Sequence, residues 1–329
     1  MSVRSFDRPV SGKAWKRRDF LAALATLSGA TLAVPAAGAA GAPAAGLPAV
    51  GMVSGAGTTP ASAGRSGMTV RQVIDALLAD IPGAPFPHTV DTIKAGDPDQ
   101  PVKGIVTTMF ATDAVIEKAA GLGANFIIAH EPTFYNHPDE TDWLADDPVF
   151  RFKKDLLDRH KMVVWRFHDG IHSHQPDGIR MGVLQALGWE KYYDADRPPL
   201  VILPAAIPLG ELTAHLKKSL DIERLKYIGD PSQPCRKIVL SPGAAGGRGQ
   251  IEALQKYQPD LFVCGELNEW ETSEYVRDAR YQGRQIALVD LGHSVSEEPG
   301  MQWLIHVLQQ KAPGITATHV PSGDAFSWA

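Results

Sequence analysis

Imidazole and carboxylate side chains stand close together near the C-terminal end of this 329-residue chain. His293 and Glu297 are four residues apart, between an apolar β-branched segment (residues 285–290) and a segment with apolar residues at helical spacing (residues 301–310). Neutral imidazole nitrogens and carboxylate oxygens are ligands that borderline divalent metals accept. The pair therefore predicts a metal-binding turn between a strand and a helix. An exposed histidine followed by glutamates at a helix N-terminus would produce the same pattern.

Three further clusters of such side chains follow short apolar segments that are typical of buried strands. They are His130 and Glu131 after residues 124–129, His168, His172 and His174 after residues 162–167, and Glu266 after residues 260–264. Because ligands bind beyond the carboxyl ends of strands in open α/β sheets, we expect the four clusters to converge. Asp169 and Asp177 have a simpler interpretation as turn formers. Three or more imidazoles with two or more carboxylates suffice for two metal ions, which polarise a substrate and activate water.

The elements that must position these side chains alternate between strands and helices along the chain. Predicted strands cover residues 102–110, 124–129, 162–167, 200–203, 237–240, 260–264, 285–290 and 315–320. Predicted helices cover residues 68–79, 112–121, 148–160, 179–187, 209–220, 250–257, 269–279 and 301–310. This order predicts an α/β protein with a mainly parallel sheet in each half and a divide between the halves near residue 190.

The N-terminal segment has the composition of an export signal and stands apart from this fold. Arg17 and Arg18 precede Phe20 and a moderately apolar segment, residues 21–34, which is followed by Ala-, Gly- and Pro-rich sequence. The pattern resembles a bacterial twin-arginine signal, and the apolar segment is shorter than a spanning helix requires. A low-complexity tail is the alternative. We predict a signal peptide over residues 1–45, a flexible linker over residues 46–67 and a periplasmic protein.

Charge and cysteine content exclude several classes of protein. The net charge is −5, and no basic run follows the N-terminal segment, so nucleic-acid binding has little support. The two cysteines, Cys235 and Cys264, are too few for an iron–sulfur cluster or a structural zinc site. Whether they form a disulfide in an oxidising compartment stays open at this point.

Other chemistries fit parts of the sequence less completely. The glycine-rich residues 242–249 could hold a phosphate on backbone N–H groups, but they lack the Lys-Ser/Thr of a P-loop, and a tight turn is the simpler interpretation. Ser294 and Ser296 lack the G-x-S-x-G elbow of a nucleophilic serine. Cys264 could pair with a histidine as a nucleophile, but it also fits a buried cysteine of a strand.

The ordered set of motifs resembles the Nif-three-like family, also known as GTP cyclohydrolase I type 2 homologues. His130-Glu131-Pro132 resembles its His-His-Pro motif, and residues 167–172 resemble its His-Thr-Asn-Leu-Asp segment. Cys264-Gly265-Glu266 is similar to its Thr-Gly-Glu, and Gly292-His293 with Glu297 matches its Gly-His-x-x-x-Glu run. Residues 322–326 resemble its C-terminal signature. Val90-Asp91-Thr92 stands in place of its Trp-Asp-Asn, which indicates a divergent branch.

This resemblance implies two α/β lobes around a metal-binding cleft, a dinuclear metal site and a ring-shaped homohexamer. Carried over position by position, the metal ligands would be His130, Glu131, His172, His293 and Glu297. Glu131 stands where the family has a second histidine, and His172 stands where it has an aspartate. Both replacements can bind metal, so the change is an exchange of ligand types.

We therefore expect a hydrolase that depends on two divalent metal ions (zinc, iron or manganese) and acts on a small, nucleotide-like molecule. Glu266 or His168 would carry the proton, and Glu297 or Glu131 would bridge the ions. The alternative is a metal-binding oligomeric scaffold or metal-storage protein without catalytic activity, and a metal-free binder using the same cleft is a third hypothesis. We expect no nucleic-acid partner and no stable membrane association after signal cleavage.

Overall fold

A computed structural model of the chain describes residues 67–327. The predicted signal peptide (residues 1–45) and the predicted linker up to residue 66 lie outside the described residues. Among the helices of the described part, none combines the length and the apolar composition needed to cross a membrane.

Ten strands and nine α-helices alternate through residues 67–327. The strands are β1 (Ile93–Ala95), β2 (Ile105–Thr108), β3 (Phe126–Ala129), β4 (Val163–Arg166), β5 (Leu200–Pro208), β6 (Lys226–Ile228), β7 (Pro234–Ser241), β8 (Leu261–Cys264), β9 (Ala287–Asp290) and β10 (Ala317–His319). The helices are α1 (Val70–Leu78), α2 (Asp113–Gly121), α3 (Pro148–His160), α4 (Asp169–Ser173), α5 (Gly178–Leu187), α6 (Leu209–Ser219), α7 (Gly247–Tyr257), α8 (Glu274–Tyr281) and α9 (His293–Lys311). Short 3₁₀ turns lie at Asp142–Leu144 and Glu190–Tyr192, and a π-helical turn at Glu269–Ser273 leads into α8.

The strands form two five-stranded sheets, each with a parallel centre. The first sheet has the order β1-β4-β3-β2-β10, in which only the pairing of β1 is antiparallel. The second has the order β5-β7-β8-β9-β6, in which the edge strands β5 and β6 are antiparallel to their neighbours. Strands β2, β3, β4 and β8 are buried along their whole length, as expected for parallel strands covered on both faces. The predicted α/β fold with mainly parallel sheets is confirmed.

Helix boundaries follow the capping residues of the sequence. The side chain of Thr69 accepts a hydrogen bond from the backbone N–H of Gln72 in a reciprocal capping box at the start of α1. Thr112 caps α2 through a single bond, in which its side chain accepts from the backbone N–H of Val115. Gly188 ends α5 in the left-handed conformation, with a φ of 66°, as predicted.

The chain returns to the first sheet after the last strand of the second. Helix α9 begins just past β9, yet its residues Met301, Leu304 and Leu308 lie in the same core cluster as Ile105 and Phe126 of the first sheet. Strand β10 then pairs in parallel with β2. A single helix therefore starts at the end of one sheet and packs against the other.

Close contact between α5 and α9 depends on two glycines. A Cβ atom at Gly182 would lie 2.3 Å from the carbonyl oxygen of Pro299, and one at Gly300 would lie 2.5 Å from the Cα of Ile179. No side chain fits at these distances, so glycine allows the two backbones to touch. The contact fixes the start of α9 relative to the start of α5.

Helix α9 is longer than the sequence predicts. We predicted a turn at residues 293–300 and a helix from residue 301, whereas the helix begins at His293 and contains Pro299. Proline in a helix interior removes one backbone hydrogen bond and normally ends a helix. The packing of Pro299 and Gly300 against α5 is a tertiary contact that this local rule does not include.

The two cysteines lie too far apart to form a disulfide. Ser241 pairs with Cys264 in the parallel register of β7 and β8, and Cys235 lies at the other end of β7. Six residues of strand correspond to roughly 20 Å, whereas a disulfide needs Cα atoms within about 7 Å. Both thiols are buried and free, and burial raises the pKa of both. A nucleophilic thiolate at Cys264 is therefore disfavoured.

Candidate metal centre

The four polar clusters meet between the carboxyl ends of strands from both sheets. His130 directly follows β3 of the first sheet, and His293 follows β9 of the second. The Nε2 atom of His293 lies 3.3 Å from Oε1 of Glu131 and 3.0 Å from Oε2 of Glu297. Residues from distant parts of the chain thus form one continuous cluster of imidazoles and carboxylates.

His130 presents a free nitrogen to the centre of this cluster. Its Nδ1 atom lies 3.1 Å from the carbonyl oxygen of Phe167. A carbonyl can only accept, so Nδ1 carries a proton, and Nε2 is the ring nitrogen that is left for a metal ion. That Nε2 atom is fully buried and without a hydrogen-bond partner, and it faces Oε2 of Glu297 at 3.3 Å. Since a buried polar atom without a partner is costly, the environment of His130 fits a metal ion.

Glu297 is almost fully buried and surrounded by imidazoles. Its Oε2 faces His130 and His293, and its Oε1 lies 3.8 Å from Nε2 of His172. Burial raises the pKa of Glu297, but the contacts with His130 and His293 outweigh it and hold that pKa well below its usual range. Glu297 is therefore a carboxylate with both oxygens directed at potential ligand nitrogens.

Glu131 divides its two oxygens between a cation and the cluster. Its Oε2 accepts a hydrogen bond of 2.9 Å from Nη2 of Arg166, which is fully buried in β4. Its Oε1 faces Nε2 of His293 at 3.3 Å and Nε2 of His168 at 3.7 Å. Burial raises the pKa of Glu131, but His293 and the neighbouring cations outweigh it, so the pKa lies below its usual value.

His172 is oriented by Asp177, the N-cap residue of α5. The Nδ1 atom of His172 lies 3.3 Å from Oδ2 of Asp177, which leaves Nε2 directed towards Glu297. Burial lowers the pKa of His172, but the hydrogen bond with Asp177 outweighs it, so the pKa is raised. A carboxylate behind an imidazole is the arrangement that orients histidine ligands in metal sites.

His168 is a further potential metal ligand, although the sequence predicted only a role in proton transfer for it. Its Nδ1 atom lies 3.0 Å from Oδ1 of Asp169, and its ring stacks on that of His130 with centroids 4.8 Å apart. Burial, together with His130, lowers its pKa, so it is neutral near pH 7. Within residues 67–327, two groups of donors lie within 4.8 Å of one another: His130, His168 and His172, and His130, Glu131 and Glu297.

Glu266 lies at the solvent side of the cluster. Its side chain is 59% exposed, and its Oε2 lies 3.0 Å from Nδ1 of His293. The structure does not bring His174 into the cluster, because its Nδ1 faces the carbonyl oxygen of Pro176 and its ring packs against Trp303.

The protonation of His293 leads to a prediction about metal binding. Both ring nitrogens face carboxylate oxygens; burial lowers the pKa of His293, but the contacts with Glu131 and Glu297 outweigh it and raise the pKa to about 10. A metal ion bound at Nε2 must displace that proton, so we expect binding near pH 8 to release up to about one proton per chain. The release should vanish as the pH rises through about 10.

Calorimetric titration of zinc in two buffers with different ionisation enthalpies measures this release. The His293→Gln variant carries no imidazolium, so any zinc that it still binds should release no proton from this position. Equal binding enthalpies in both buffers for the wild type would contradict the prediction. In the metal-free protein the raised pKa of His293 also stabilises the fold; this contribution is fully present below about pH 6.5 and is lost as the pH rises through about 10.

The glycine-rich turn at residues 242–249 forms one wall of the cluster. Gly243 has a φ of 71°, and a Cβ atom there would lie 2.1 Å from Oε1 of Glu297. Its N–H donates to Oγ of Ser296 at 2.9 Å, and that hydroxyl donates to the carbonyl oxygen of His293. The turn is therefore explained by close backbone packing, and the hydroxyl of Ser296 is engaged in structural hydrogen bonds.

Two charged residues behind the cluster were missed by sequence reasoning. Asp91 accepts hydrogen bonds from the backbone N–H groups of His168, Asp169 and Gly170 and so holds the short helix α4 in place. The sequence feature that could have identified Asp91 is its position in Val90-Asp91-Thr92, which stands in place of the Trp-Asp-Asn motif. Arg166 had a clearer signal, because a charged residue inside an apolar buried strand needs a buried partner.

Comparison with known proteins assigns the chain to a family. The family model described as Duf34/NIF3 (NGG1p interacting factor 3) matches residues 68–322. The chain belongs to the DUF34/NIF3 family. Its resemblance to Nif-three-like proteins is thereby confirmed, and the candidate metal groups above are those of a NIF3 protein.

Curated relatives and solved structures agree with this assignment. A GTP cyclohydrolase 1 type 2 homolog of Clostridium acetobutylicum is 26% identical over 219 residues, which are 64% of this chain and 77% of that protein. One from Escherichia coli K12 is 24% identical over 230 residues, which are 67% and 85% of the two chains. A hypothetical protein of Staphylococcus aureus shares the fold with a TM-score of 0.64 at 18% identity, covering 80% of this chain and 100% of its own.

Proposed function

We propose that this NIF3 protein is a dinuclear-metal-dependent hydrolase of a small, nucleotide-like molecule. The observation that carries the proposal is the buried Nε2 atom of His130, which faces the carboxylate of Glu297 at 3.3 Å and lacks a hydrogen-bond partner. The name of the curated relatives, GTP cyclohydrolase 1 type 2 homolog, supports a nucleotide-like substrate.

The ligands we propose are His130, Glu131, His172, His293 and Glu297, with His168 as a sixth donor. Both oxygens of Glu297 face imidazoles, whereas one oxygen of Glu131 is bound by Arg166. In a metal-loaded centre, Glu297 would therefore have both oxygens available to the ions, whereas Glu131 would have one. The imidazole content favours zinc or iron over manganese.

When bound, a pair of divalent ions supplies Lewis acidity and makes water acidic enough to act as a nucleophile near neutral pH. The residues of the chain would orient the substrate and move protons. Glu266 is exposed and in contact with Nδ1 of His293, so it can exchange a proton between the cluster and solvent. His168 is neutral near pH 7 and can accept a proton at Nε2 if that nitrogen does not hold metal.

Turnover by metal-loaded protein tests this proposal. Phosphate esters, cyclic amides and nucleotides are offered with zinc, iron or manganese, and at least one class should be hydrolysed by the wild type. The His293→Ala variant should fall to the background rate, because it loses a ligand and the contact with Glu266. Absence of turnover above that variant with every metal would refute the hydrolase.

A metal-binding scaffold or storage protein is the second candidate. It is favoured by the burial of His130, Glu131 and Glu297, which are only 0%, 6% and 2% exposed, because structural sites are closed by protein ligands. The side chains of His168 and His293 are each 24% exposed, which leaves a path to solvent and favours catalysis. The scaffold would be favoured if removing the metal dissociates an oligomer and no substrate is found.

We also propose export by the twin-arginine route to the periplasm, without stable membrane association after signal cleavage, and assembly as a homohexamer. The arginine pair at residues 17–18 supports export by this route, and the family supports the homohexamer. Cell fractionation and light scattering measure them directly. We propose no nucleic-acid partner, consistent with the net charge of −5.

A further inference from the structure

A fully buried guanidinium lies directly behind the metal centre. Arg166 donates through Nη2 to Oε2 of Glu131 at 2.9 Å, through Nε to the carbonyl oxygen of His130 at 3.1 Å, and through Nη1 to the carbonyl oxygen of His137. A buried cation is tolerated only when it is paired and hydrogen-bonded. Arg166 meets both conditions by contacting the segment that carries two proposed ligands.

The hydrogen bond from Arg166 makes the two oxygens of Glu131 unequal. Oε2 faces the guanidinium, and Oε1 faces Nε2 of His293 and Nε2 of His168. Glu297 differs, because in the part of the chain that the structure describes all its ion pairs are with histidines, through both oxygens. One carboxylate of the centre is therefore restrained to a single free oxygen and the other is not.

The charges around Arg166 make Glu131 its principal counter-ion. Asp139, the other nearby carboxylate, lies 3.9 Å from Nη1 of Arg166 but only 3.1 Å from Nζ of Lys94, and the side chains of both Lys94 and Asp139 are buried. Lys94 and Asp139 thus form one neutral pair, and Arg166 and Glu131 form another. Within residues 67–327, Glu297 is the carboxylate of the centre whose negative charge no neighbouring guanidinium or ammonium compensates.

We propose that Arg166 is a positioning residue that makes Glu131 a charge-compensated ligand with one available oxygen, and that it thereby shifts the preference of the centre from manganese towards zinc. The inference rests on the proposed metal centre. Carboxylate oxygens suit manganese, whereas imidazoles suit zinc. Arg166 occupies one oxygen of Glu131 and cancels its charge. It therefore removes part of the affinity that a free carboxylate would give the centre for manganese.

The affinities of wild type and Arg166→Met for zinc and manganese test this role. We expect the ratio of manganese affinity to zinc affinity to rise about tenfold in Arg166→Met, which is the lower end of the change in metal affinity caused by losing a residue behind a ligand. A merely structural arginine would weaken both metals together and leave the ratio unchanged. The matched control is Lys153→Met, because Lys153 is also buried but donates to the carbonyl oxygen of Thr133. The ratio of manganese affinity to zinc affinity in Lys153→Met should equal that of the wild type.

Thermal unfolding separates positioning from folding. Arg166→Met leaves Glu131 without its cation, so the metal-free variant should unfold on the order of 10 °C lower. The double variant Glu131→Gln with Arg166→Met removes both charges and should recover most of that loss. A double variant no more stable than Arg166→Met would contradict the pairing of these two residues.

Infrared difference spectra test the wild type itself, whatever the folding of Arg166→Met. The carboxylate bands that appear on zinc binding and are absent in Glu131→Gln should have the wide splitting of a carboxylate bound through one oxygen. Narrow splitting of a chelating carboxylate would overturn the inference, as would an unchanged metal ratio in folded Arg166→Met. A wild type that binds neither metal would instead refute the metal centre.

Discussion

Glu297→Gln should empty the metal centre. Glu297 belongs to one candidate group of ligands and also contacts His172 of the other, since its two oxygens face His130, His172 and His293. An amide in its place offers one weaker acceptor and a nitrogen that would repel a cation. We expect metal content to fall from about two ions per chain to none, and elemental analysis of the purified proteins measures it.

The adjacent carboxylate is a control within the same helix turn. Glu298 points away from the centre and accepts hydrogen bonds from the N–H of Met109 and the hydroxyl of Ser322. Glu298→Gln should therefore retain the metal. Glu131→Ala and His172→Ala should each lose about one ion. An unchanged metal content in Glu297→Gln would show that Glu297 is not a ligand. An unchanged metal content in Glu131→Ala and His172→Ala would show that these two residues support the centre without binding metal.

Gly182→Ala should destabilise the protein more than most single methyl additions. The new Cβ would lie 2.3 Å from the carbonyl oxygen of Pro299 and 2.5 Å from Cα of Gly300, and both are backbone atoms that cannot rotate away. We expect a loss of about 3 kcal/mol in the free energy of unfolding, at the upper end for overpacking. Because α9 carries His293 and Glu297, metal affinity should fall as well. Denaturant titration and metal binding measure the two effects.

Gly121→Ala is the matched control for this change. Gly121 is the last residue of α2, and a Cβ there would meet nothing within 4 Å. Alanine should be neutral or stabilise the protein by up to about 1 kcal/mol, since it limits the unfolded chain. Equal losses in the two variants would mean that the α5–α9 contact is not responsible.

Much of the fold was predictable because the central strands are short, apolar and fully buried. Segments such as Phe126–Ala129 and Leu261–Cys264 have no other stable position than the middle of a covered sheet. The missed elements lack that signal: β1 and β6 have three residues each and are only partly buried or exposed, and α4 has five residues. Their conformation is set by neighbours, as when Asp91 caps α4 from far away in the chain.

The candidate site was predictable in composition but not in detail. The rule that polar residues past strand ends converge brought His130, His293 and Glu266 into one hypothesis, and their contacts agree with it. The rule says nothing about which atoms meet. That His168 is a donor, and that Arg166 binds one oxygen of Glu131, depend on side-chain directions that no spacing in the sequence encodes.

The return of the chain to its first sheet has a consequence for the order in which the protein can be made. His130 and Glu131 are synthesised early, but their partners His293 and Glu297 lie on α9, and β10 must pair with β2 across a separation such as the 212 residues between Thr107 and His319. Contacts this distant form late in folding. A chain that stops before α9 keeps the group of His130, His168 and His172 but lacks Glu297, so the second candidate group is complete only once that helix has been synthesised.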